Sequence, residues 1–97
     1  MGQDPTLGPL KHPEARDLIR QIVKEGDLDF SGHARKEMEK DNLTTIDCMN
    51  VLRGGNIELV EYINGEWRYR LITSQMAFVV AFVSETELRV ITGWRND

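Results

Sequence analysis

A chain of 97 residues with a net charge of −4 has room for one small core and none for a second lobe, because a domain of this size buries only about 60–65% of its unfolded surface. One cysteine excludes an internal disulfide, and one cysteine with two histidines makes a poor zinc site. No apolar run nears the roughly 18–20 residues of a membrane span, and the N-terminus lacks the basic start and apolar centre of a signal peptide, so the expected setting is a reducing cytoplasm without membrane, metal or cofactor.

Residues 1–11, MGQDPTLGPLK, hold two prolines and two glycines and show no period; they read as a flexible arm ahead of a single domain over 12–97. From Pro13 the pattern changes. Ala15, Leu18, Ile19, Ile22 and Val23 recur at helical spacing, with charged residues around the other side. Pro13 suits the first turn and Gly26 the stop. "DLDF" then runs extended into Ser31-Gly32, and a short helix is predicted from His33 to Lys40 with Ala34 and Met38 as its buried stripe. Thr44 and Asp47 have capping-box spacing ahead of a third helix that ends at Gly54-Gly55.

The second half alternates. "IELVEYI", Asn64-Gly65 and "EWRYRLIT" spell a hairpin with a strong turn signal. "MAFVVAFV" is apolar on both faces, as a central strand should be, and "ELRVITGWR" closes the chain. The expected fold is α+β: N-terminal helices on one face of a four-stranded antiparallel meander. Its first or last strand is an exposed edge through which a homodimer could pair.

Strand parity singles out a set of arginines. Arg68, Arg70 and Ile72 share one side of their strand and Trp67, Tyr69 and Leu71 the other; Arg89, Ile91 and Arg95 oppose Leu88, Val90, Thr92 and Trp94. With the Trp67 and Leu88 sides against the helices, Arg68, Arg70, Arg89 and Arg95 project together from the open face, with Glu61 near them. Guanidinium forks there match phosphate oxygens. The same arginines would equally keep an exposed sheet soluble, their stems covering apolar neighbours.

His33 stands where a helix begins. There it can act as a general acid or base, or simply tie the turn to the sheet by a local hydrogen bond. Cys48 lies among apolar neighbours as a small buried hydrophobe. Gly54-Gly55 lacks the glycine pattern and lysine of a phosphate loop. Trp94 is placed either to stack a base of single-stranded RNA or to fill the core.

The stretch "FSGHARKEMEKDNLTTIDCMNVLRGG" resembles the small bacterial proteins known as domain of unknown function 4258. Phe30, Ser31, His33, Ala34, Met38, Leu43, Val51, Leu52 and Gly55 match, and the likeness runs over residues 28–95. Glu37 stands where that family commonly has an arginine, and Lys40 and Asp41 follow the Met. The family in turn is similar to compact toxins such as BrnT and RelE. The resemblance implies a RelE/BrnT-like fold and a metal-independent ribonuclease toxin with an RNA substrate and a cognate antitoxin. In that reading His33, Arg70 and Arg89 are catalytic, and Arg68, Thr92, Trp94 and Arg95 bind substrate; only His33 is carried by the motif. The alternative is a protein-binding or regulatory module of the same fold without catalysis.

Overall fold

The computed structural model describes residues 4–96. Helix α1 (His12–Glu25) has Pro13 in its first turn and closes at Gly26, whose N–H donates to the carbonyl of Ile22. Its buried residues are Ala15, Ile19 and Ile22, the stripe that the spacing marked. Helix α2 (Gly32–Lys40) is capped by Ser31, whose hydroxyl accepts from Ala34 N–H. Asn42 then takes the left-handed conformation at φ 55°, and Leu43 N–H returns to the carbonyl of Met38 at 2.8 Å, a common way to satisfy a helix end. Helix α3 (Thr45–Gly54) starts on a complete capping box: Thr44 hydroxyl accepts from Asp47 N–H at 3.1 Å, and Asp47 carboxylate accepts from Thr44 N–H at 2.9 Å.

Five strands make one sheet: β1 (Asp27–Phe30), β2 (Asn56–Ile63), β3 (Glu66–Ile72), β4 (Met76–Phe82) and β5 (Glu87–Arg95), in the order β1-β5-β4-β3-β2. The β2–β3 turn is the expected one, with Asn64 and Gly65 at φ 52° and 81°, the positive values of a hairpin turn that matches strand twist.

The sheet corrects the expected four-stranded antiparallel meander. It has a fifth strand, and the sheet is mixed, because β1 lies parallel to β5 in the register Asp27↔Glu87 to Phe30↔Val90. The physical cause is plain once the topology is seen. β5 would otherwise expose a free edge; instead Asp27 N–H donates to the carbonyl of Thr86 and Ser31 N–H to that of Val90. The D-L-D-F alternation then turns Leu28 and Phe30 toward the core and leaves Asp27 and Asp29 outside.

A single core cluster joins all three helices to one face of the sheet, where Tyr69, Leu71, Phe78, Val80, Leu88 and Val90 are fully buried. Each large side chain so buried contributes about 1.5–3 kcal/mol. The N-terminal stretch expected to be a flexible arm adds Leu10 to this core. Leu10 N–H donates to the Tyr69 hydroxyl at 2.8 Å. Among the described residues, no helix packs on the other face of the sheet.

Candidate functional site

The open face is organised in cross-strand rows. One row reads Glu61, Arg68, Ala81, Arg89 and Asp29 across all five strands; the next reads Leu59, Arg70, Val79 and Thr92. Side chains of four strands meet over these rows. The result is a groove of about 220 Å³. β2 lines it with Leu59, Glu61 and Ile63, β3 with Arg68 and Arg70, β4 with Val79, and β5 with Ile91, Thr92 and Trp94.

A bulge in β5 decides which residues enter this groove. Val79 pairs with Thr92 while Val80 pairs with Val90, so Ile91 is the extra residue. Simple alternation had put Thr92 and Trp94 on the helix side and Arg95 on the open side. The extra residue reverses that parity. Thr92 and Trp94 now line the groove beside Arg68 and Arg70. Arg95 leaves it for the end of α2: its backbone N–H donates to Asp41 Oδ2 at 2.8 Å, and its guanidinium to the carbonyls of Asp41 and Asn42 at 3.2 and 3.3 Å. Arg95 is thus a fastener of the α2–α3 corner. Gly93 faces inward against Phe78, which leaves no room for a side chain.

The arginines on the face are occupied. Arg68 Nε lies 3.2 Å from Glu66 Oε1, Arg70 Nη1 3.0 Å from Glu58 Oε1, and Arg89 Nε 3.5 Å from Asp29 Oδ2. Arg70 also sits over the Trp94 ring, 5.7 Å from its centroid, an arrangement that contributes about 0.5–1 kcal/mol at a partly exposed site. Its Nε is buried and has no hydrogen-bond partner. These half-exposed ion pairs contribute roughly 0–1 kcal/mol each to stability; their larger effect is to cancel the positive charge of the face.

His33 is elsewhere. It projects from α2 with 64% of its side chain exposed, and its nearest carboxylate is Glu37 at 4.0 Å. The buried stripe of α2, Ala34 and Met38, packs into the core, and His33 is not among the residues that line the groove. Arg89 shares the face with Arg68 but lies outside the groove lining. The site residues read from the sequence therefore separate into a groove set (Arg68, Arg70, Thr92, Trp94), a neighbour (Arg89) and two outliers (His33, Arg95).

Sequence reasoning missed Leu59, Ile63, Val79 and Ile91 as groove residues, and Glu58, Glu66 and Asp29 as the arginines' partners. The hairpin could have supplied Leu59 and Ile63. From Ile63↔Glu66 at the turn, Glu61↔Arg68 and Leu59↔Arg70 follow by counting.

Cys48 is fully buried. Burial pushes its thiol up to about 12, which removes it as a nucleophile at ordinary pH. Among the described residues no group of three or more His, Cys, Asp or Glu is arranged to hold a metal ion, and no helix is long and apolar enough to cross a membrane. Of the two edges the fold presents, β1 is only four residues long, while β2 is the outer strand of the hairpin. Comparison of the chain with family models, with curated proteins and with solved structures finds no match, so the likeness between Phe30 and Gly55 rests on those residues alone.

Proposed function

We propose that this chain is a non-catalytic module that binds a protein partner across the open face of its sheet. One observation carries the reading: the arginines of that face already hold carboxylates of the chain itself, while the groove between them is lined by Leu59, Ile63, Val79, Ile91 and Trp94. Arg68, Arg70 and Arg89 supply three positive charges, and Glu58, Glu61, Glu66 and Asp29 supply four negative ones. A phosphate backbone gains affinity by releasing counterions to unpaired cations, and here it would first have to displace carboxylates. Aromatic and arginine side chains around an apolar floor, rimmed by paired charge, are instead the usual make-up of a protein interface. A reducing cytoplasm suits the single buried thiol.

The ribonuclease reading keeps one supporting observation, the placement of Arg68, Arg70 and Arg89 on one face beside Thr92 and Trp94. Its histidine does not line the groove. In that reading a cognate antitoxin would cover the same face.

Both readings meet in one experiment. The purified protein is incubated with RNA in EDTA beside His33→Ala and Arg70→Ala, and a photo-crosslinking side chain is placed at position 59 in cells. The binding module predicts no cleavage by any of the three proteins, and a protein adduct at position 59 that disappears when Trp94→Asp is added. Cleavage by wild type that is lost in Arg70→Ala overturns it.

A further inference from the structure

Three cations that form no ion pair among the described residues, Arg20, Lys24 and Arg53, lie together on the helical side of the molecule. Between α1 and α3 runs a groove of about 660 Å³ lined by Arg20, Val23, Lys24, Met49 and Arg53. Its floor is apolar, with Val23 packed against the core and Met49 half-buried. Its walls are basic on both sides, and no carboxylate lines it. Among the described residues none of Arg20, Lys24 and Arg53 forms an ion pair, whereas Arg68, Arg70 and Arg89 of the sheet face all do. In an acidic chain this is an uncancelled concentration of positive charge.

Two of the guanidinium groups are held in place. Arg20 Nε donates to the carbonyl of Arg53 at 2.8 Å, joining α1 to the last turn of α3. Arg53 Nη2 donates to Asn50 Oδ1 at 3.0 Å. The terminal nitrogens of Arg20 make no hydrogen bond within the described residues, and a fixed fork with free donors suits a carboxylate. Lys24 and Arg53 both stand in the last turn of their helices, where a cation is favourable in any case. Helix ends do not account for the apolar strip between them, nor for Ile46, one turn before Met49 on α3 and 67% exposed.

We infer that the α1–α3 groove docks an acidic amphipathic helix of a partner protein, whose apolar stripe lies on Val23 and Met49 while its flanking carboxylates meet Arg20, Lys24 and Arg53. Two adjacent helix ridges form the trough into which a third helix packs, and helix-in-groove recognition reads an apolar stripe of this kind. The apolar floor selects protein over nucleic acid. This surface is independent of the one proposed above, and either can fail alone.

The test uses fluorescence anisotropy with the full chain and a labelled helical peptide bearing leucines along one stripe and glutamates on both flanks. A second peptide carries glutamine at every glutamate position. Lys24 makes no hydrogen bond in the described structure, so Lys24→Glu leaves the fold intact; Arg53→Glu and Met49→Asp accompany it, each checked by its melting curve. Wild type binds the glutamate peptide about tenfold or more tightly than the glutamine peptide, and Lys24→Glu combined with Arg53→Glu removes at least that preference. Lys36→Glu, an exposed position on α2 outside the groove lining, leaves affinity unchanged. Equal affinity for the two peptides overturns the inference. So does insensitivity to Lys24→Glu, or tighter binding of a single-stranded RNA oligomer that the same variants abolish.

Discussion

Gly93→Ala puts the β5 geometry to a quantitative test. A Cβ at this position falls 2.4 Å from both Cδ1 and Cε1 of Phe78 and 3.2 Å from Cζ. Carbon atoms in contact sit about 3.5–4.0 Å apart, so the ring must retreat by more than about 1 Å. Phe78 is fully buried, with core behind it, and overpacking of this kind costs about 1–3 kcal/mol. For a domain of this length each kcal/mol moves the melting temperature by about 4–8 °C. Thermal melts followed by circular dichroism should therefore show a drop of about 4–24 °C. A double-mutant cycle identifies the cause. In a Phe78→Leu background the shorter side chain vacates the clash, and Gly93→Ala should cost less there by at least about 0.5 kcal/mol. A Gly93→Ala protein that melts at or above wild type, or that loses as much stability in both backgrounds, refutes the packing described for β5. Because Gly93 lies between Thr92 and Trp94, the same substitution should also weaken whatever the open face binds.

Three further outcomes are expected. Burial holds the Cys48 thiol neutral, raised from 9.0 to about 12, so the stabilisation is complete below pH 9 and is lost as pH climbs from 9 toward 12; the slope is up to about 1.4 kcal/mol per pH unit. Urea midpoints measured across this range should fall more steeply for wild type than for Cys48→Ala, and parallel curves would show that the thiol is not desolvated. Tyr69→Phe strips Leu10 N–H of its acceptor and should cost about 1–3 kcal/mol, with faster amide exchange at Leu10; unchanged protection there would contradict the docking of the N-terminal stretch. Thr44→Ala breaks the capping box and should lower stability by about 1 kcal/mol in denaturant titrations, whereas Thr45→Ala, one residue inside the helix, should not.

Local chemistry made much of this fold readable. Thr44-x-x-Asp47 announces a helix start because its two side chains answer two orphan N–H groups, and Asn64-Gly65 announces a hairpin because both residues tolerate positive φ. Pairing across long distances left no such mark. "DLDF" shows the alternation of a strand, yet nothing in those four residues points to Glu87–Val90 as the partner. The bulge was harder still, since Ile91, Thr92 and Trp94 continue the run without a break in pattern. Gly93 was the available signal: a glycine inside a strand marks a bulge or a close approach, and here it accompanies both. For the candidate site, parity placed Arg68 and Arg70 from β3 alone. Their neutralisation by Glu66 and Glu58 could not be read, because side-chain pairing across and along strands depends on register and rotamer. The α1–α3 groove went unseen because Lys24 and Arg53 each look, in isolation, like ordinary helix-end cations.

The strand that the helical half leans on is the fifth of the five in chain order. β1 and the Ser31 cap reach β5 across some sixty residues of chain, with Ser31 Oγ donating to the carbonyl of Ile91. While the chain grows, α1, β1 and α2 emerge with nothing to pair against, and the β2–β4 hairpins form beside an edge that nothing yet covers. Only when residues 87–95 arrive can one strand slot between β1 and β4 and join the two halves at once. Assembly thereby waits on residues 87–95, and slow closure of the most distant contacts should set the folding rate. A chain cut before Glu87 would lose its middle rather than its margin.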